Sequence, residues 1–426
     1  MAEGFPIDRR ALLAGAMALP VTARAAAALP SASAPGLAGD DDAFWRGIAA
    51  QYDVTREVIQ LENGNWGMMA RPVLRAYEQA VERVNRDTSF YARRGMVRDV
   101  IAARDRLAAT LGVPADELAF TRNATEALRT LILGYNRLRA GETVLYADLD
   151  YDSMQACMDS LAKRQGAAVV RIALPEPATR QSIIDAYAAA IAANPRLRLI
   201  LLTHLSHRTG LVVPVREIAA MARARGIDTI VDAAHSWGQL DFALADLDCD
   251  FIGLNCHKWL GAPLGVGAIH IRKGALAAID RDPANDASDR DTVQARVHTG
   301  TVDFAAQLTM PDAIAFQQGI GAKRRADRLS ALRNRWVAHA RQIPGIEILT
   351  PDDPALHGGI TAFRIAGKTS AADNIALAAR LLERHRIFTV HRVGPAKGAC
   401  VRVTPALFNS MADMDALASA LQGLSR

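Results

Sequence analysis

The sequence predicts an α/β protein: a large domain built on a mainly parallel sheet, followed by a smaller α+β domain. Two observations carry this. From about residue 118 to residue 271, apolar runs of strand length alternate with helical patterns, and the runs are nearly unbroken instead of alternating apolar with polar. Such strands are buried on both faces, as in a parallel sheet covered by helices. Beyond about residue 320 the rhythm changes to one long arginine-rich helical stretch and several short strands, the pattern of a second, smaller layer.

Taken in order, strands are expected at 143–147, 167–174, 197–204, 228–232, 251–255 and 265–271, with helices between them at 126–138, 154–164, 183–193 and 215–225. Ligands of such a sheet sit at the carboxyl ends of its strands, so the polar residues just past those ends are the ones to inspect. The later part should form a helix over 322–342 and strands near 346–349, 359–365, 388–392 and 400–404. The chain therefore divides into a leader and linker (1–39), an N-terminal segment packing on the small domain (40–75), a large domain (76–320) and a small C-terminal domain (321–426).

The leader has Arg9 and Arg10 ahead of a short apolar run, 11–19, and then Ala23-Arg24-Ala25, a small-x-small cleavage pattern. The run is too short to span a bilayer, so no stable membrane anchor is expected. Paired arginines in this position resemble a twin-arginine export signal, with the periplasm as destination. An ordinary secretory signal, or a basic terminus on a cytoplasmic protein, is the alternative.

Half of the 426 residues are apolar and 22% are charged, with a formal charge of +5. The basic residues are scattered and aromatics are few, so there is no stacking platform or basic stripe for nucleic acid. Cys157, Cys249, Cys256 and Cys400 form no CxxC pair and no metal-ligand spacing; they read as free thiols, mostly in the core, and no metal is expected. Only six of the 50 basic residues are lysine. Where charge alone was needed the sequence uses arginine, so a lysine in apolar surroundings invites a chemical explanation: it can deprotonate and attack a carbonyl, and arginine cannot.

Lys258 is such a lysine. It lies in Asn255-Cys256-His257-Lys258-Trp259-Leu260-Gly261-Ala262-Pro263, just past an apolar strand, where desolvation would lower its pKa and make it nucleophilic. A solvated loop lysine is the plainer reading. Upstream, Asp232 ends an apolar strand in Ile230-Val231-Asp232-Ala233-Ala234-His235. A carboxylate there is costly unless it meets a buried cation such as a protonated pyridine ring; a helix-capping aspartate is the alternative. In Phe120-Thr121-Arg122-Asn123-Ala124-Thr125-Glu126 a strand end runs into a helix whose first N–H groups could hold a phosphate, or the same residues could form an ordinary capping box.

In this order and spacing, with Asp232-x-x-His235 followed by Lys258 26 residues beyond Asp232, the chain resembles the class V aminotransferase superfamily of cysteine desulfurases, kynureninases, isopenicillin N epimerase and relatives. The likeness runs over 61–426. It implies fold type I, with a mainly parallel seven-stranded sheet in the large domain, and pyridoxal 5'-phosphate as cofactor. By position it implies a Schiff base at Lys258, which would also shuttle protons, Asp232 on the pyridinium nitrogen and His235 near the ring or its O3′ oxygen. Ala124 (backbone), Thr125, His257 and Asn255 would hold the phosphate. Tyr151 would stack on the ring, with neighbouring Asp150 left open by alignment slack. Gly300-Thr301 would reach the partner subunit's phosphate in a homodimer with its site at the interface. Asn65, in Asn63-Gly64-Asn65-Trp66-Gly67, and Arg402, in Val401-Arg402-Val403-Thr404-Pro405, would bind substrate, Arg402 by its carboxylate.

Two departures bear on the reaction. His207 stands where desulfurases have asparagine near O3′, and the loop 393–399 carries no cysteine, which speaks against desulfurase chemistry. The overall pattern is nearest to isopenicillin-N-epimerase-like proteins and to exported PLP enzymes of siderophore tailoring. It implies action on the amino group or α-carbon of an amino acid, free or within a peptide. A conventional aminotransferase with a keto-acid acceptor is the alternative, and an idle cofactor-binding protein is a third reading.

Overall fold

A computed structural model describes residues 42–285 and 291–424, so the stretch expected to act as an export signal lies outside the described residues. The large sheet has seven strands: β1 (Leu118–Thr121), β2 (Thr143–Ala147), β3 (Ala168–Ile172), β4 (Leu197–Thr203), β5 (Asp228–Asp232), β6 (Phe251–Asn255) and β7 (Gly267–Ile271). Their order is β1-β7-β6-β5-β4-β2-β3, and β7 alone runs against its neighbours, so the sheet is parallel but for one strand.

The unbroken apolar runs have a direct cause. Along β4, Leu199 and Leu201 pack on one face with Leu128, Leu131, Met158 and Leu161. Ile200 and Leu202 pack on the other with Ile183, Ile218, Leu107 and Ile314. Successive side chains of a strand point to opposite faces, so a sheet covered on both sides requires apolar residues at every position. The register pairs Thr203 with Asp232 and Asp232 with Gly253, which brings the carboxyl ends of β4, β5 and β6 side by side.

The smaller sheet is antiparallel: β8 (Ile346–Ile348), β9 (Thr361–Ile365), β10 (Val390–Arg392) and β11 (Cys400–Val403), in the order β10-β11-β9-β8. Its core joins Leu332 and Trp336 of the helix Ala322–Ala340 to Phe363, Leu381, Val401 and Met414. The segment before residue 75 divides its contacts. Phe44, Trp45 and Ile48 of the helix Asp42–Ala49 belong to the large-domain core, whereas Leu61 is buried in the small one. Ile59–Gln60 pairs in parallel with Ile387–Phe388.

Several elements differ from expectation. The helix expected over 126–138 is Ala124–Leu133; it stops at Gly134, after which Tyr135 bridges to Ile279 and donates its hydroxyl to Asp228 at 2.5 Å. The strand expected at 388–392 is two short ones in different sheets, with Thr389 buried between them. Helices Arg71–Arg94, Met96–Leu111 and Met310–Ile320 had no sequence expectation. In the first, Val73 and Tyr91 are buried, and Tyr77, Ala80 and Val84 between them are half-buried along the same face.

Candidate active site

The carboxyl ends of β4, β5 and β6 open into a cavity of about 430 Å³. Of the residues singled out in the sequence, Asn65, Ala124, Thr125, Tyr151, His207, Asp232, His235, Asn255, His257, Lys258 and Arg402 all line it. Thr301 does not; it is exposed on the surface of the chain. Asp150 does not either: it is buried, and its carboxylate accepts the N–H groups of Ala147 (2.7 Å) and Thr203 (2.9 Å). Burial pushes its pKa up to about 7, and Tyr151 provides the ring on the cavity wall.

Lys258 projects from the turn after β6. Burial pulls its amine down to about 8, with the Arg402 guanidinium adding to that and the Asp232 carboxylate opposing it. Its Nζ lies 2.9 Å from His235 Nε2. The Trp259 indole N–H, which can only donate, reaches His235 Nδ1 at 3.4 Å. Burial holds His235 well below its ordinary pKa, so the ring is neutral. The indole thereby favours the tautomer with its proton on Nε2, which can donate to the Lys258 amine once that amine is deprotonated. The lysine turn is seated by Gly67: its N–H donates to the His257 carbonyl at 2.8 Å, and a Cβ there would lie 1.8 Å from the Lys258 carbonyl oxygen.

Asp232 ends β5. Burial raises its pKa, and the Ala234 N–H at 2.8 Å and the Lys258 charge offset part of the rise. Across the cavity the helix Ala124–Leu133 points its N-terminus inward. Asn123 caps it by accepting the Glu126 N–H at 2.8 Å, while the Glu126 carboxylate accepts the Arg122 N–H at 2.7 Å and so closes no capping box; Asn255 accepts the Ala124 N–H at 2.8 Å and ties the helix to β6. The Thr125 side chain is exposed at the cavity wall. The Tyr151 ring meets the His207 ring edge-on at 5.3 Å, and His207 lies nearly parallel to His235 at 6.3 Å.

The substrate side brings a surprise. Arg402 is buried, and its fork is already engaged: Nη2 donates to Glu62 at 2.5 and 2.8 Å, and Nη1 to the His207 carbonyl at 2.6 Å. Arg392 stands beside it in the cavity wall. Neither Glu62 nor Arg392 was singled out by sequence. Their meeting depends on a contact between residues 330 apart, and the available signal was an arginine two places past a half-buried valine of the same strand, Val390.

Residues 69–417 match the aminotransferase class-V family. The chain is 32% identical over 410 residues to the isopenicillin N epimerase of Streptomyces clavuligerus, covering 90% of this chain and 99% of the relative. It is 31% identical over 400 residues to that of Amycolatopsis lactamdurans, again covering 90% and 99%. A putative L-cysteine desulfhydrase 2 of rice (Oryza sativa subsp. japonica) is 30% identical over 322 residues, 68% of this chain and 64% of that one. Among solved structures, the apo cysteine desulfurase from Thermococcus onnurineus NA1 superposes with a TM-score of 0.75 at 19% identity, over 88% of this chain and 97% of that one. The chain belongs to the class V aminotransferase family, with fold type I architecture and pyridoxal phosphate as cofactor.

The residues present fit that group. A desolvated amine on Lys258, a buried carboxylate on Asp232 and a helix N-terminus on the opposite wall are the three contacts an aldehyde, a ring nitrogen and a phosphate require. No helix among the described residues is long and apolar enough to cross a membrane.

Proposed function

We propose that this enzyme acts on the amino group and α-carbon of an amino acid, free or as a unit of a peptide, with Lys258 as its acid–base group. The carrying observation is the Lys258–His235 pair: a lysine brought down to about 8 and held 2.9 Å from a neutral imidazole at the cavity wall. Bound pyridoxal phosphate supplies an electron sink for charge developing at the α-carbon. The chain's own residues do the rest. Asp232 favours a proton on the ring nitrogen, the N-terminus of the helix Ala124–Leu133 with Thr125 and His257 favours the phosphate, and Tyr151 offers a ring face. Lys258 can accept a proton on one side of the α-carbon, with His235 orienting its amine, and inversion requires a proton delivered to the opposite side.

Epimerisation is the reading the likeness to isopenicillin N epimerases supports; transamination is the second, supported by the family itself. Desulfuration that runs through a cysteine nucleophile finds no support, because Cys400 is buried in β11 with its thiol pushed up to about 12. The deciding measurement is α-proton exchange of amino acids and short peptides with the holoenzyme in D2O, with the cofactor spectrum recorded alongside. Exchange accompanied by inversion at the α-carbon, with an unchanged cofactor spectrum, supports epimerisation. A pyridoxamine spectrum with keto-acid release supports transamination. No exchange and no spectral change with any amine defeats both and leaves an idle cofactor-binding protein.

Export to the periplasm and assembly as a homodimer belong to the same proposal. Arg9 and Arg10 support the first. The exposed Phe90, Val97 and Ile101 on the helices Arg71–Arg94 and Met96–Leu111, with Thr301 outside its own chain's cavity, support the second.

A further inference from the structure

A proton delivered on the side away from Lys258 needs a donor there, and the strand order shows where to look. Lys258 follows β6. Asp232 ends β5 and pairs in register with Gly253 of β6 on one side and Thr203 of β4 on the other. Tyr151 follows β2, the next strand beyond β4. Lys258 and Tyr151 therefore leave strands three places apart, about 14 Å along the sheet edge. Asp232 and Thr203 line the cavity between them. The side chains follow the same line: Lys258 Nζ meets His235 at 2.9 Å, His235 lies nearly parallel to His207 at 6.3 Å, and His207 meets the Tyr151 ring edge-on at 5.3 Å. A carbon held over Asp232 and Thr203 has the lysine amine on one flank and the phenol on the other.

Few groups on the Tyr151 flank can give up a proton. The guanidinium groups of Arg392 and Arg402 hold theirs too tightly. The Asp152 carboxylate is paired with Arg208 and only accepts. Burial holds His207 well below its ordinary pKa, and the charges of Arg208, Arg402, Arg392 and Lys258 push the same way, so its ring is neutral and a very weak acid. The Tyr151 hydroxyl can donate and accept. Among the described residues no hydrogen bond claims it, and its ring stands 36% exposed on the cavity wall.

We propose that Tyr151 is a second acid–base residue, whose hydroxyl serves the face of the α-carbon opposite Lys258. The proposal rests on the reading of the enzyme as an epimerase. The Lys258 amine takes the α-proton, and the C–H electron pair stays on the substrate, drawn toward the sink that the cofactor supplies. That pair then forms a new C–H bond with the Tyr151 proton; the O–H bond breaks and leaves a phenolate. Water at the cavity mouth takes the extra proton from the lysine and returns one to the phenolate. In the opposite direction the roles exchange, so each enantiomer loses its proton to its own flank.

The test uses holoenzyme in D2O with the separate enantiomers of a panel of free amino acids and their dipeptides, recording α-deuteration, inversion and cofactor absorbance. The native enzyme should deuterate both enantiomers and interconvert them. Tyr151→Phe keeps the ring and removes only the hydroxyl. Its cofactor absorbance, and the shift on mixing with amino acid, should match the native enzyme. It should deuterate one enantiomer with retention, while deuteration of the other and inversion both fall by about a hundredfold or more, the usual contribution of a general acid. The proposal is overturned if Tyr151→Phe still inverts at the native rate. It is also overturned if deuteration of both enantiomers falls equally, which would make the hydroxyl a positioning group, or if His391→Gln, on the same wall, abolishes inversion that Tyr151→Phe retains. A native enzyme that inverts no member of the panel would instead remove the epimerase reading, and the proposal with it.

Discussion

Lys258 can be tested by removing its amine. Lys258→Ala should lose the cofactor's yellow absorbance and its fixation to protein by borohydride. Lys273→Ala should keep both, because Lys273 is a surface residue paired with Asp116 at 3.3 Å. Cofactor still fixed covalently in the Lys258 variant would remove the centre of the proposed mechanism. The amine's titration gives a second handle. A folded-state pKa of about 8 in place of 10.5 means that the apoprotein's lysine becomes a nucleophile well below the usual range. Capture of pyridoxal phosphate by apoprotein should accelerate as pH rises toward 8 and level off above it. A rate that keeps climbing past pH 10 would indicate an ordinary solvated lysine. By linkage, the unfolded chain binds more protons between about 8 and 10.5, so this group makes apoprotein stability rise with pH across that window.

At the level of elements, the loop carrying Gly67 is the support of the lysine turn. Gly67→Ala would drive a methyl against the Lys258 carbonyl, which lies in backbone with little room to yield. Overpacking of this kind costs about 1–3 kcal/mol, so melting temperature and cofactor retention should fall together. A variant that melts and binds like the parent would show that the loop adapts and does not seat the turn. This element also marks how far the sequence could be read. Strands β5 and β6 have the expected bounds, Asp228–Asp232 and Phe251–Asn255, because burial on both faces leaves an uninterrupted apolar signature. Asp232, His235 and Lys258 were visible because each departs from that signature at a strand end. Arg392 and Glu62 were not. A charged residue beside a strand is common, and what gives these two meaning is a contact between chain segments that periodicity does not encode. The helix Arg71–Arg94 was legible and went unread: Val73, Tyr77, Ala80, Val84 and Tyr91 recur at helical spacing along its inner face.

For the molecule as a whole, the export proposal predicts that Arg9→Lys together with Arg10→Lys keeps the protein in the cytoplasm, folded and yellow, as fractionation would reveal. Arrival of the variant in the periplasm at the normal level would refute the twin-arginine reading. The dimer proposal predicts that Phe90→Asp lowers the sedimentation coefficient of the native assembly toward that of one chain; an unchanged coefficient would place the interface elsewhere.

The way the two ends of the fold are stitched has a consequence for how the enzyme comes into being. Ile59–Gln60 pairs with Ile387–Phe388, Glu62 bridges to Thr404, and the Glu62 carboxylate is bound by Arg402. The large sheet can be complete once Ile271 has left the ribosome, yet the mouth of the cavity has no second wall until more than a hundred further residues have followed. A nascent chain therefore owns its lysine well before it owns the wall and the arginine that lower the pKa of that amine. The closing of Ile59–Gln60 onto Ile387–Phe388, with Glu62 brought to Arg402, is the step at which an ordinary amine becomes a selective one.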